Sequence, residues 1–177
     1  MPCRPDLILS GVNRGNNAGE NAVYSGTLGG AMEGALQRVP SVALSQFFGP
    51  GNSTLADPFE AAARHGAAVV KALLDRGLWG GDGYHVFYNI NFPARPAAEV
   101  KGIRVVRQGL RPDGFKVEAQ DSPSGRRFLW VRGVAQAVDT GPGTDVSANL
   151  AGYVSVTPMR ADLTAHDLMA DLEDRLA

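Results

Sequence analysis

Residues 5–45 read PDLILSGVNRGNNAGENAVYSGTLGGAMEGALQRVPSVALS, and the succession of patterns inside this stretch decides the fold. Leu7, Ile8 and Leu9 form a short apolar run that stops at Ser10-Gly11, as a buried parallel strand does when it delivers a loop. A loop rich in glycine and asparagine follows. A helix is then predicted from residue 24 or 25 to residue 37, with Ser25 as its N-cap and Pro40 as a stop signal. Residues 41–45 (SVALS) read as a second buried strand. Strand, helix and strand in so few residues make a βαβ unit with a right-handed crossover, and the fold class is α/β.

Beyond this unit, residues 58–76 carry Phe59, Ala62, Ala63, Val69, Val70, Leu73 and Leu74 with Gly77 just past them, the pattern of an amphipathic helix with a glycine stop. Residues 86–91 make the next strand, in which Asn89 and Asn91 alternate with Tyr88 and Ile90 and so share one face. Residues 103–106 are strand-like. Residues 115–117 and 128–131 flank DSPSG, whose turn chemistry predicts a projecting hairpin arm within residues 107–135. DTGPGTD is a turn, residues 153–157 a strand with Val154 and Val156 on one face, and residues 167–176 a closing helix. With 177 residues, 44% of them hydrophobic and 20% charged, the chain suits one core, and residues 1–177 are expected to form a single domain.

Charge narrows the partners. Seventeen Lys and Arg against eighteen Asp and Glu leave a net charge of -1, which argues against sequence-independent binding of nucleic acid. No apolar run approaches the roughly 18 residues a membrane helix needs, and no signal-peptide pattern opens the sequence. One cysteine, Cys3, forms no internal disulfide and stands near no base in sequence, so a cytoplasmic protein without a catalytic thiol is expected.

The chemistry concentrates in residues 10–27, with Gly11, Gly15, Gly19 and Gly26 among Asn13, Asn16, Asn17 and Asn21. Glycines let backbone N–H groups approach an oxyanion, and the helix opened by Ser25-Gly26-Thr27 would present free donors to a phosphate. Composition alone leaves open a plain loop that accepts left-handed φ. The stretch is neither a Walker A loop nor GxGxxG, so the ATPase and dinucleotide readings both lose ground. Arg14 could contact phosphate or base, or be a solvated loop residue. His65, His85 and His166 share no ligand spacing and read as structural, and Asp139 and Asp145 read as Asx caps of the GPGT turn.

RPDLILSGVNRGNNAGENAVYSGTLGGAMEG followed by VPSVALS resembles the signature segment of SurE, the survival-protein family of 5'/3'-nucleotidases. FYNINFP and DTGPGTDVSANLAGYVSVTPMRADLT resemble two later blocks of the same family, so the resemblance covers most of the chain. It implies a three-layer Rossmann-like fold with an arm used for homodimer or homotetramer contacts. It implies hydrolysis of nucleoside 5'- and 3'-monophosphates to nucleoside and phosphate with a divalent metal, Mg or Mn. Asn13 would be a metal ligand, and Asn17, Ser25, Gly26 and Thr27 would surround the phosphoryl group. Where many members carry an acidic pair before the Tyr-Ser-Gly-Thr, this chain has Glu20 and Asn21. The family's opening strand carries adjacent aspartates that bind the metal and activate water, and no counterpart precedes Met1. The expectation is therefore a fold without its opening strand and helix, no catalytic residue of that pair within the chain, and little or no activity. The alternative expectation is a non-catalytic oligomerisation partner or nucleotide-binding module. Asn89 and Asn91 are expected to hydrogen-bond the neighbouring loop.

Overall fold

The computed structural model describes residues 3–81, 83–110, 115–133 and 137–177. Its main sheet has five strands in the order β1-β2-β3-β7-β4. They are β1 (Ile8–Arg14), β2 (Ser41–Gln46), β3 (Phe87–Phe92), β4 (Ile103–Val105) and β7 (Val154–Met159). The first three run parallel; β7 pairs antiparallel with β3, and β4 runs parallel to β7. The helices are α1 (Gly26–Leu36), α2 (Glu60–Arg76), α3 (Asp145–Leu150) and α4 (Met169–Leu176). Among the described residues no helix is long and apolar enough to cross a membrane.

The central strands are buried at every position, SVALSQ in β2 and FYNINF in β3, so each contributes to both faces of the sheet. Val42, Leu44, Tyr88, Ile90, Phe92, Val154 and Val156 pack with Ala61, Ala62, Val69 and Val70 of α2. Ala43 and Phe87, of the opposite parity, pack with Leu28, Ala31 and Ala35 of α1. Two helices thus sandwich the sheet as the α/β expectation requires. The face of α1 is made of small residues, and a Cβ at Gly34 would run into Ser41 and Ile8, so the helix lies close against the strands. α2 begins without a side-chain cap of its own; instead Gln46 Oε1, from the end of β2, accepts the N–H of Ala62 at 3.0 Å.

Two expectations need correcting, and one helix was not foreseen. β1 does not stop at Ser10-Gly11. It continues to Arg14 through an irregularity between Ser10 and Asn13, after which Asn13 pairs with Ser45 and Arg14 with Gln46. Gly11 makes this local shift feasible, with φ at 129° and a position where a Cβ would meet the Leu44 carbonyl. Between the GPGT turn and β7, in residues to which the sequence assigns no element, lies the short helix α3: Thr144 N-caps it, accepting from Ser147 N at 3.4 Å. Asp139 forms the expected Asx bond, to Gly141 N at 3.0 Å, whereas Asp145 makes none of that kind and is turned into the interior.

Strands β5 (Phe115–Asp121) and β6 (Arg127–Gly133) form the expected hairpin as a separate two-stranded sheet. β6 is exposed along its whole length. Residues 111–114 and 134–135 of the expected arm lie outside the described residues.

Candidate phosphate-binding site

The irregularity in β1 matters because it decides where Asn13 points. Ser10, before it, pairs with Ala43 on the α1 side of the sheet, and its Oγ sits beside Gly30 of α1. Strict alternation would send Asn13 to the other side. The shift instead sets it opposite Ser45, two residues beyond Ala43 and on the same face. Ser45 is paired with Asn91, and Asn91 with Ser155. A polar row Asn13, Ser45, Asn91, Ser155 therefore crosses four strands on the α1 side, near the C-terminal ends of β1, β2 and β3.

Asn17 lies on this row. Its backbone N–H donates to Asn91 Oδ1 at 2.7 Å, its Nδ2 donates to Ser45 Oγ at 2.8 Å, and its carbonyl accepts from Asn89 Nδ2 at 2.8 Å. Asn89 and Asn91 thus bind the loop, as their placement in the sequence suggested. Asn149, from α3, donates to the Asn91 carbonyl at 2.9 Å and to the Tyr153 carbonyl at 3.0 Å from beneath. Asn13 donates from Nδ2 to the Gly15 carbonyl at 2.9 Å, which leaves its amide oxygen available to a donor or a cation.

From Asn17 the chain passes through a 3-10 turn, Gly19–Tyr24, to Ser25. Ser25 caps α1 as expected: its Oγ accepts from Leu28 N at 3.1 Å. Gly26 and Thr27, the first two helical residues, have N–H groups with no carbonyl four residues back inside the helix. α1 follows β1 in a parallel βαβ unit, so this N-terminus lies at the same end of the sheet as the polar row. The structure brings Asn13 and Asn17 together at Ser45. No hydrogen bond among the described residues joins either of them to Ser25, Gly26 or Thr27, which the Gly19–Tyr24 turn connects to the loop instead.

Other polar groups fall outside this arrangement. Arg14 lies over the ring of Phe48, 4.9 Å from its centroid. His65 Nε2 bonds the Ala97 carbonyl at 2.9 Å, and His166 Nε2 lies 2.6 Å from Asp162 Oδ2. Cys3 is exposed. Asp145 is fully buried, and burial pushes its carboxyl above its ordinary value while N–H groups of Gly19, Gly109 and Val146 oppose that shift.

A divalent cation is a demanding test of this donor set. It prefers several hard oxygens with carboxylates among them, and among the described residues no three His, Cys, Asp or Glu cluster to hold one. Asn13 brings a single neutral oxygen, and the Asp145 carboxylate is occupied by backbone donors. These residues do not fit such an ion by themselves, whereas the amides and N–H groups fit an oxyanion.

Sequence reasoning missed Ser45, Asn149, the task of Asp145, and Gln108, whose Nε2 donates to the Gly19 carbonyl of the loop at 2.8 Å. Ser45 was legible in principle: a parallel register between SVALS and FYNINF aligns it with Asn91. The other three lie far along the chain from the loop, and no local spacing marks them.

The family described as survival protein SurE matches residues 1–113. The 5'-nucleotidase SurE of Dinoroseobacter shibae is 67% identical over 174 residues, 98% of this chain and 67% of that protein. The 5'-nucleotidase SurE of Cereibacter sphaeroides is 63% identical over 171 residues, 96% of this chain and 66% of that protein. The crystal structure of the SurE protein from Aquifex aeolicus superposes with a TM-score of 0.76 at 38% identity, covering 99% of this chain and 67% of that one. The chain thus spans about two thirds of the length of the relatives it matches.

Proposed function

The chain belongs to the SurE family, and on that premise we propose that it carries the phosphate-binding half of a nucleotidase releasing phosphate from nucleoside 5'- and 3'-monophosphates. The observation that carries this reading is the polar row topped by Asn17 at the same end of the sheet as the N-terminus of α1. A phosphoryl group there takes N–H bonds from Gly26 and Thr27 and the hydroxyl of Thr27, with Ser25 holding the helix start and Asn17 supplying amide contact. Asn13 would offer a divalent ion, Mg or Mn, one oxygen of the several it needs, and the described residues gather no carboxylate cluster to hold the ion beside it. The protein acts in the cytoplasm.

Because one amide oxygen is all that the described residues of this site offer the ion, the chain by itself is expected to bind nucleotide without appreciable turnover. The test compares phosphate release from 5'-AMP, with Mn or Mg, by this chain and by the same chain joined to the opening segment that the family resemblance implies. AMP binding by both, with release by the longer form alone, supports the reading. Turnover by the short chain would show that another carboxylate set holds the metal, and failure of either form to bind AMP would remove the phosphate site altogether.

One observation favours a second role beside the first, assembly through the arm. Leu129 is 69%, Trp130 57% and Val131 68% exposed on β6, an apolar run that a homodimer or homotetramer would cover. Sedimentation of the wild type and of Trp130→Glu tests it: the variant should be smaller, and equal mass would assign the contact elsewhere.

A further inference from the structure

Gly19 is held at both of its backbone polar groups. Its N–H donates to Asp145 Oδ2 at 2.9 Å, and its carbonyl accepts from Gln108 Nε2 at 2.8 Å. The other carboxylate oxygen, Asp145 Oδ1, accepts from Gly109 N at 2.9 Å and from Val146 N at 2.8 Å. An ionised carboxylate accepts on both oxygens and donates on neither, so it suits a buried point where three N–H groups converge. Removing it would leave these donors unpaired in the interior.

The location gives the grip a purpose. Gly19 opens the turn that ends at Ser25, so it is the last fixed point of the loop before the N–H groups of α1. Gln108 and Gly109 lie between β4 and the arm, where Arg107 also pairs with Thr144 and the Arg107 carbonyl accepts Asp145 N at 3.0 Å. Loop, root of the arm and α3 are therefore joined through one residue and one carboxylate.

We propose that Asp145 and Gln108 are positioning residues of the phosphate site, which hold the Gly19 backbone so that Gly26 and Thr27 face the bound anion. The proposal rests on the phosphate-site reading above. Neither residue touches the phosphoryl group. Both tie the loop to the root of the arm, so movement at that root reaches the site through Gly19.

Asp145→Asn separates this role from general stability. The amide keeps one accepting oxygen for Gly109 and Val146 and turns an NH2 group toward the Gly19 N–H, so the loop bond alone is lost. Gln108→Ala frees the carbonyl side. Two quantities would be measured on the 177-residue chain: amide hydrogen exchange at Gly19, Gly109 and Val146, and calorimetric binding of AMP and of inorganic phosphate. Each variant should speed exchange at Gly19, with Gly109 and Val146 still protected, and weaken both ligands about tenfold. Together they should cost less than the product of the two, since they act on one residue. Asp139→Asn, in the exposed turn nearby, should leave both readouts unchanged.

Unchanged exchange at Gly19 in both variants would overturn the grip. Faster exchange with unchanged affinity for AMP and phosphate would overturn its role in the site. Should Asp145→Asn unfold the chain, Gln108→Ala decides, because its side chain is only half-buried. A wild type that protects Gly19 yet binds neither AMP nor phosphate would overturn the phosphate-site reading, and the positioning role with it.

Discussion

Strand β3 carries two different kinds of structure on its two faces. Tyr88, Ile90 and Phe92 join Val42, Leu44, Val154 and Val156 in a dry layer under α2. Phe87 continues an apolar layer under α1, but Asn89 and Asn91 on the same face are wholly buried and hydrogen-bonded to the loop. The first face is specified by volume and transfer from water, which tolerates exchange among residues of similar size. The second is specified by which atoms donate and which accept, so a side chain of the same volume with the wrong polarity fails there. One strand thereby supplies both the adhesive of the fold and the bed of the site.

Substitution on the two faces should separate these contributions, and the largest effect belongs to the dry face. Phe92 is fully buried, and Phe92→Ala removes a ring from a layer that cannot fully collapse around the gap. The expected cost is about 3–5 kcal/mol in urea denaturation, with AMP affinity of the molecules that remain folded unchanged. A loss of affinity per folded molecule would mean that the two faces are not separable.

On the polar face, Asn91→Ala strips the acceptor of the Asn17 N–H and the donor to Asn89 Oδ1. Leaving buried groups unpaired costs about 1–3 kcal/mol, less than the ring. Here the ligand should feel it more than the fold does: AMP binding should weaken even where the chain stays folded, because Asn17 loses one of its three anchors. A variant that melts early yet binds AMP as the wild type does would reduce Asn91 to a packing residue.

The same contrast explains what could be read in advance. Apolar patterns announce themselves locally, so α1, α2 and the strands of the dry face follow from the spacing of residues such as Ala62, Val69 and Val70. The small polar residues of the loop left anion binding and a plain loop both open, and only the family resemblance singled out Asn13 and Asn17, whereas the alternation in YNIN gave the face of Asn89 and Asn91. The turn of Asn13 onto that face was not legible, because it depends on a shift of register within β1 against β2. Asp145 was misread for a related cause. Its neighbours in sequence suggest a turn cap, but its partners Gly19 and Gly109 lie 126 and 36 residues away and are brought to it by the fold alone.

A smaller effect is expected at the rim of the polar face, where Ser25 caps α1. Its Oγ satisfies Leu28 N, and Ser25→Ala should cost about 1 kcal/mol, read as a modest drop in midpoint by urea denaturation. The helix itself should survive, since Leu28, Ala31 and Ala35 remain packed on the sheet. Phosphate affinity should fall with the cap, and Ser25→Asp separates the two causes. An aspartate can restore the cap, but it sets a negative charge beside the bound anion, so stability should return while affinity falls further. Recovery of both would place the anion away from this helix end.

The smallest effect is expected where a polar group faces water. Asp162 accepts from Thr164 and lies beside His166, and these bonds, those of Thr164 first, hold its carboxyl down to about 2 from an ordinary 3.8. A depressed carboxylate contributes stability that is present above its unfolded value and lost as pH falls through the folded one, here between 3.8 and about 2. The side chain lies at the surface, 26% exposed, so screening erodes that contribution. Asp162→Asn should therefore leave the neutral-pH midpoint nearly unchanged and flatten the stability profile only at the acid end, while a carbon-detected titration of the wild type follows the low pKa directly. A midpoint shift comparable to that of Asn91→Ala would mean that hydrogen bonds at the surface matter as much as those beneath the loop, and the distinction between a satisfied interior and a solvated rim would fail for this molecule.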